Sequence, residues 1–98
     1  MTIRNFRTKG TEDINYSRVT KEALRTLPTE LHHKAQIKLA RLGAVTSMQD
    51  LQEIRGNRFE KLNGERQGQY SIRINDQYRI CFKWVKENAV DVEIIDYH

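Results

Sequence analysis

One cysteine, Cys81, is present in the 98 residues, so no internal disulfide can form. A disulfide-stapled secreted scaffold is therefore excluded. Cys81 sits between Ile80 and Phe82, which suggests a partly buried structural thiol with no neighbouring group to activate it. The opening MTIRNFRTKG has no apolar core of a signal sequence, and no stretch approaches the roughly 18 apolar residues of a membrane span. These absences lead us to expect a cytoplasmic protein with no membrane partner. Proline occurs once, at Pro28, and no Pro/Gly/Ser linker, internal repeat or low-complexity tract marks a boundary. The chain thus reads as a single domain over residues 1–98.

A 38% apolar share beside 31% charged residues suits a small globule with one modest core. The net charge of +4 favours polyanionic partners without naming one. Its distribution is more informative. Residues 1–41 hold nine Lys/Arg against four Asp/Glu, and residues 55–86 hold eight against three. The last twelve residues carry four acids and no Lys or Arg. The first basic block is read equally well as solvated surface, whereas the second lies in strand-like sequence.

Residues 2–6 suggest a short first strand, followed by a polar stretch to Thr26 that is either mobile or helical. In TLPTELHHKAQIKLARLGA the residues Leu31, Ala35, Leu39 and Leu42 recur at helical spacing, with Pro28 in the first turn and Gly43 placed to end the helix. Another side of that helix carries Lys34, Lys38 and Arg41, a basic stripe open to two readings, solvated surface or docking face. SMQDLQEI predicts a short helix capped by Ser47, after which NRFEKL begins a sheet. From Phe59 the period becomes two. Tyr70, Ile72 and Ile74, then Tyr78, Ile80, Phe82 and Trp84, define an apolar face, continued in a last strand by Val90, Val92 and Ile94. The opposite face presents Arg73, Arg79 and Lys83, and Glu93 is a possible cross-strand partner for Arg79. The expected architecture is α+β, with N-terminal helices packed on one face of a small, mostly antiparallel sheet.

No metal site or cofactor is expected. His32 and His33 are neighbours on a helix and diverge, which is poor geometry for joint ligation. Gly64 and Gly68 in NGERQGQ lack the helix and lysine of a phosphate-binding loop and instead shape a turn. What remains is a cationic face near a chain end of Asp96, Tyr97 and His98. Such a set suits cleavage of a phosphodiester by its own 2′-hydroxyl, which needs a base, an acid and cations around the phosphate. Lys61, Arg66, Arg73 and Arg79 supply positive charge, with Lys83 on the same face as Arg79. His98 is a candidate acid or base and Tyr97 offers a ring on which a base can stack, while the same tail is read equally as a plain polar end to an edge strand.

LNGERQGQYSIRINDQYRICFKW followed by VDVEIIDYH closely resembles the HigB branch of the RelE-like toxins, the plasmid-maintenance killer proteins. The matching elements are Gly64, Arg66 and Gly68, Ser71 and Ile72, Arg79 in QYRICF, and the terminal Asp96, Tyr97 and His98. The resemblance implies a RelE-like fold and a ribosome-dependent endonuclease acting on mRNA in the ribosomal A site. It also implies a cognate helix-turn-helix, HigA-like antitoxin. Asp96, Tyr97, His98 and Arg79 would then be catalytic, and the chain would end where it does because its end completes the site. The sequence departs from the family where relatives carry a His and a Lys before the Gly-acid-Arg loop, here Glu60 and Asn63. Glu60 is then a replacement base, with Lys61 as a cation, although adjacent strand residues face opposite sides. Two other readings stay open: a toxin of the same fold acting on a protein target such as gyrase, and a non-catalytic RNA- or ribosome-binding module.

Overall fold

Short helices depend on their caps more than on their period, and the N-terminal region shows it. The computed structural model describes residues 2–97. The polar stretch forms two helices, α1 (Lys9–Asn15) and α2 (Lys21–Thr26). Thr8 caps the first, accepting from the Thr11 N–H at 3.3 Å, and Thr20 caps the second, accepting from the Ala23 N–H at 3.1 Å. The buried Asp13 carboxylate joins them, accepting from Thr20 Oγ1 at 2.7 Å and facing Arg18 Nε at 3.2 Å and Lys9 Nζ at 3.4 Å. Gly10 permits their close approach, since a methyl group there would overlap Thr26 Oγ1 and come within 2.6 Å of the Glu22 carbonyl.

A turn of 3₁₀ helix (Thr29–Leu31) leads into α3 (His32–Ala44), which buries Ala35, Leu39 and Leu42 as its spacing predicts. Gly43 does not end this helix. It lies within it, and its carbonyl accepts from the Thr2 N–H at 2.8 Å, so a distant segment supplies the donor that a left-handed glycine would otherwise bring. Ser47 caps α4 (Met48–Glu53) as expected, with Oγ accepting from the Asp50 N–H at 3.3 Å.

The four strands β1 (Glu60–Lys61), β2 (Gln69–Arg73), β3 (Tyr78–Val85) and β4 (Asn88–Asp96) pair antiparallel in the order β1-β2-β3-β4. Residues 2–6 are not a regular strand but run parallel along the outer edge of β4, bridging Ile3 to Ala89 and Phe6 to Val92. They occupy the edge hydrogen bonds that β4 would otherwise expose. A bulge falls at Asp91 (φ 53°): Cys81 faces Glu93, but Lys83 faces Val90. The core row of β4 is therefore Ala89, Val92 and Ile94, and the expected place of Val90 in it is corrected, since the extra residue turns Val90 to the Lys83 face. Asn5 clasps the bulge, donating from Nδ2 to Asp91 Oδ1 at 2.8 Å and accepting from the Asp91 N–H at 3.0 Å.

Ile14, Ala23, Leu39 and Leu42 from the helices, with Leu27 just after α2, meet Ile72, Ile80, Phe82, Val92 and Ile94 from the sheet in one core. The helices thus cover one face of the sheet, the α+β arrangement expected. Among the described residues no helix is long and apolar enough to cross a membrane.

The Thr20 hydroxyl, then Lys9 and Arg18, hold the Asp13 carboxyl below the usual carboxylate range against the opposing effect of burial. A carboxyl lowered in the folded state stabilises the fold above its unfolded pKa of about 3.9, and that contribution disappears as pH falls through the lowered value. Asp13→Asn is expected to unfold at lower temperature than wild type at neutral pH. The two melting curves should converge in acid, and a gap that persists at low pH would show that Asp13 acts through shape rather than charge.

Candidate active site

Alternation in the strands sets a second row of side chains on the face away from the helices. Glu60, Ser71, Cys81 and Glu93 lie across all four strands in one register row. Arg73 and Arg79 form the next row with Ile95, and Gln69 and Lys83 flank the other side with Val90. Of these, Ser71, Cys81, Arg79 and Glu93 are buried, so the face is recessed rather than open.

Arg79 organises this recess. It is 7% exposed, not the outward-facing strand arginine that alternation suggests. Its Nε donates to Ser71 Oγ at 2.7 Å, and its Nη2 donates to the Arg58 carbonyl and toward the Ser71 carbonyl at 3.4 Å. Nη1 lies 3.9 Å from Glu60 Oε1, an ion pair longer than a hydrogen bond. The guanidinium carbon stands 5.6 Å from the centre of the Tyr97 ring, a cation–π contact. Glu93 is not the cross-strand partner of Arg79, because register sets Ile95 there and Cys81 opposite Glu93.

Glu93 instead accepts from Arg66 Nη1 at 2.8 Å and lies 3.7 Å from Arg7 Nη1. Arg66 reaches it from a 3₁₀ turn (Gly64–Arg66) and also donates to Gln69 Oε1 at 3.0 Å. Gly64 (φ 65°) and Gly68 (φ 91°) take left-handed conformations around this turn, the role read for them in the sequence. The hydrogen bond to Glu93 holds the Arg66 guanidinium even more firmly protonated than usual. Burial pushes the Cys81 thiol up to about 11, with Arg66 opposing it.

The remaining candidate residues divide. Arg73 sits beside Arg79 and is paired with Asp76. Lys83 lies 3.6 Å from Asp91, near the bulge. Lys61 pairs with Tyr70 and so takes the helix side of the sheet, away from Glu60 and Arg79. Asp96 pairs with Tyr78 and accepts from Gln77 Nε2 at 3.0 Å, which gives it the opposite parity to Arg79. Tyr97, whose N–H donates to the Gln77 carbonyl at 2.7 Å, returns to the Arg79 face and is 40% exposed. His98 lies outside the described residues. Buried His32 is bonded through Nε2 to the Leu27 carbonyl at 2.8 Å, while His33 is exposed. Among the described residues, no three of His, Cys, Asp and Glu converge as metal ligands.

Sequence reasoning gave no place in the site to Arg7 or to the Arg58 carbonyl. Both come from segments outside the hairpin, and nothing in their spacing links them to it.

A family model for the RelE-like toxin of type II toxin-antitoxin system HigB matches residues 5–98. Toxin HigB-1 of Vibrio cholerae serotype O1 is 43% identical over 67 residues, which span 68% of this chain and 70% of that protein. Two solved structures share the fold. The YoeB-YefM complex from Staphylococcus aureus aligns with a TM-score of 0.60 at 21% identity, over 96% of this chain and 93% of that one. A heterotetrameric YoeB-YefM toxin-antitoxin complex from the same organism aligns at 0.52 and 23%, over 89% and 85%. The fold is thus the RelE-like one of small toxins. Within that class the chain belongs to the HigB-like toxins of type II toxin-antitoxin systems.

Two outcomes follow from the buried face. Arg79→Ala removes donors from Ser71 Oγ and the Arg58 carbonyl, so it is expected to destabilise the fold by about 1–3 kcal/mol, contrary to what an exposed strand arginine would do. Urea unfolding measures this, and an unchanged midpoint would show that solvent replaces both bonds. Raising the Cys81 thiol from an ordinary 9.0 to about 11 leaves roughly a hundredfold less thiolate near pH 8. Maleimide labelling of the folded protein should be slower than that of the unfolded chain by at least that factor.

Proposed function

We propose that this toxin is a ribosome-dependent mRNA endoribonuclease that cuts by attack of the 2′-hydroxyl on the adjacent phosphate, without a metal at the chemical step. The observation that supports this reading best is the fixed Arg79 guanidinium. Its Nε and Nη2 are held by the protein, while Nη1 faces Glu60 beyond hydrogen-bond length. A cation held before substrate arrives stabilises charge developing on a phosphoryl group without reorganising at the moment of reaction.

In the proposed step a base takes the proton from the 2′-hydroxyl, the O2′–P bond forms, and the P–O5′ bond breaks. An acid returns a proton to the leaving 5′-oxygen, giving a 2′,3′-cyclic phosphate and a 5′-hydroxyl. Glu60, across from Arg79, is the candidate base on the described face. His98 is the candidate acid or base at the chain end, and Asp96 orients its neighbours there. Tyr97 presents its ring to a base of the mRNA. Arg66 and Arg73 are the further phosphate contacts, each now held by a carboxylate that RNA must displace. Lys83 is a peripheral contact, and Lys61 a contact from the opposite side of the sheet edge. The mRNA is bound in the ribosomal A site of the cytoplasm, no cofactor is required, and a HigA-like helix-turn-helix antitoxin restrains the toxin.

Primer extension on an mRNA translated in vitro, with the chemistry of the new ends determined, tests the reading. New 5′-hydroxyl ends that need ribosomes are expected. A 5′-phosphate overturns the mechanism, and DNA breaks without RNA cleavage point to a gyrase-directed toxin. Deleting His98 should lower single-turnover cleavage by roughly 10²- to 10⁴-fold with ribosome binding nearly unchanged. Wild-type rates from that variant would falsify the role of His98 and leave Glu60→Gln as the decisive substitution.

A further inference from the structure

Charge on the sheet face is paired: Arg66 and Arg7 meet Glu93, Arg73 meets Asp76, Arg79 faces Glu60, and Lys83 faces Asp91. The basic stripe of α3 is different. Among the described residues no carboxylate forms an ion pair with Lys34, Lys38 or Arg41. Lys38 is nevertheless buried, at 7% exposure, and its Nζ donates to a neutral acceptor, Asn57 Oδ1, at 3.0 Å. Burying an ammonium costs several kcal/mol unless an opposite charge accompanies it.

The surroundings of Lys38 concentrate positive charge. Asn57 is fully buried, donates from Nδ2 to the Leu51 carbonyl at 3.3 Å and accepts from the Arg73 N–H at 2.6 Å. It therefore ties the α3 stripe to the end of β2, where Arg73 sits beside Arg79. Gly56 is exposed, in a left-handed conformation (φ 86°), and among the described residues, its chain neighbours apart, Lys38 Nζ at 4.0 Å is the atom nearest to where a side chain would begin there. The ammonium thus borders the open space above Gly56. Burial first, then the positive charges of Arg41, Lys34 and Arg73, lower the Lys38 pKa.

We infer that Lys34, Lys38 and Arg41 of α3, with Arg73 of β2, form a subsite for backbone phosphates of RNA above Gly56, beside the Arg79 recess. The inference rests on the reading that RNA is what this toxin engages. A phosphate supplies the counter-charge that the fold withholds from the α3 stripe, and its oxygens accept from ammonium and guanidinium groups alike. Arg73 belongs to both places, so one strand of RNA can run from the α3 stripe into the recess. The phosphate comes from mRNA or from ribosomal RNA, and the two are separable by experiment.

The test uses the whole protein, a non-cleavable 2′-O-methyl RNA strand, and ribosomes free of mRNA. Binding to each is measured over a range of salt. Lys34→Gln with Arg41→Gln removes two surface cations and is expected to weaken binding about tenfold. It should also lower the slope of log affinity against log salt by about 1.4, roughly 0.7 for each lost contact to a single strand. Lys38→Met should deepen the loss, and if it does not fold the surface pair decides alone. Loss on the free strand assigns the subsite to mRNA, and loss on empty ribosomes assigns it to ribosomal RNA. Unchanged affinity and slope on both overturn the inference. The two readings fail separately. Cleavage by wild type with an unchanged slope in the variant removes the subsite, and a lost slope in a protein that cuts no mRNA removes the nuclease.

Discussion

A guanidinium placed inside a sheet must have its donors satisfied by the protein, and most of this molecule's arrangement around β3 serves that need. Ser71 supplies a hydroxyl from the neighbouring strand, and the loop before β1 supplies the Arg58 carbonyl. That loop is held in turn by Asn57, whose partners lie on α3, α4 and β2. The orientation of Arg79 is therefore set by elements far apart in the chain. Rigidity of this kind suits the role proposed for Arg79, since a loosely held arginine would have to reorient as negative charge develops on a phosphate.

The parts legible in the sequence were those written as a period. Residues 70–84 alternate cleanly, and α3 repeats its apolar residues at helical spacing, so strands β2 and β3, the long helix and the two faces of the sheet were all readable. Periodicity reports which face a residue takes, however, and not how deeply it lies. Arg79 and Lys38 both occupy the expected faces and both are buried, because segments distant in sequence close over them. Glu93 shows the same limit: its partners Arg66 and Arg7 come from a turn and from the N-terminal segment, neither of which alternation can connect to it. Helices α1 and α2 were illegible for another reason, being too short to show a repeat and specified by threonine caps and by Asp13.

The candidate site was legible as a set of residue types more than as a geometry. Glu60, Arg79 and Tyr97 do converge, and Arg66 joins the same face through Glu93. Lys61 and Asp96 take the other parity, a consequence of strand pairing that the linear order of the residues conceals. The abundance of arginine on this face also misleads, because nearly every cation there has its own carboxylate. What distinguishes Arg79 is the neutral scaffold around most of its guanidinium.

The bulge at Asp91 makes β4 two half-strands that are out of phase. Asn88 to Val90 follow one alternation, set by the turn that joins β3 to β4, while Val92 onward follow another, set by pairing with residues 78–81. Asn5 fastens the joint between them. The tip of the hairpin is thereby insulated from the end that carries Glu93 and Tyr97. Changes of length or sequence around residues 86–90 can be absorbed at the joint without turning either of those side chains to the wrong face, so the outer end of this hairpin is free to diverge while the inner end is not.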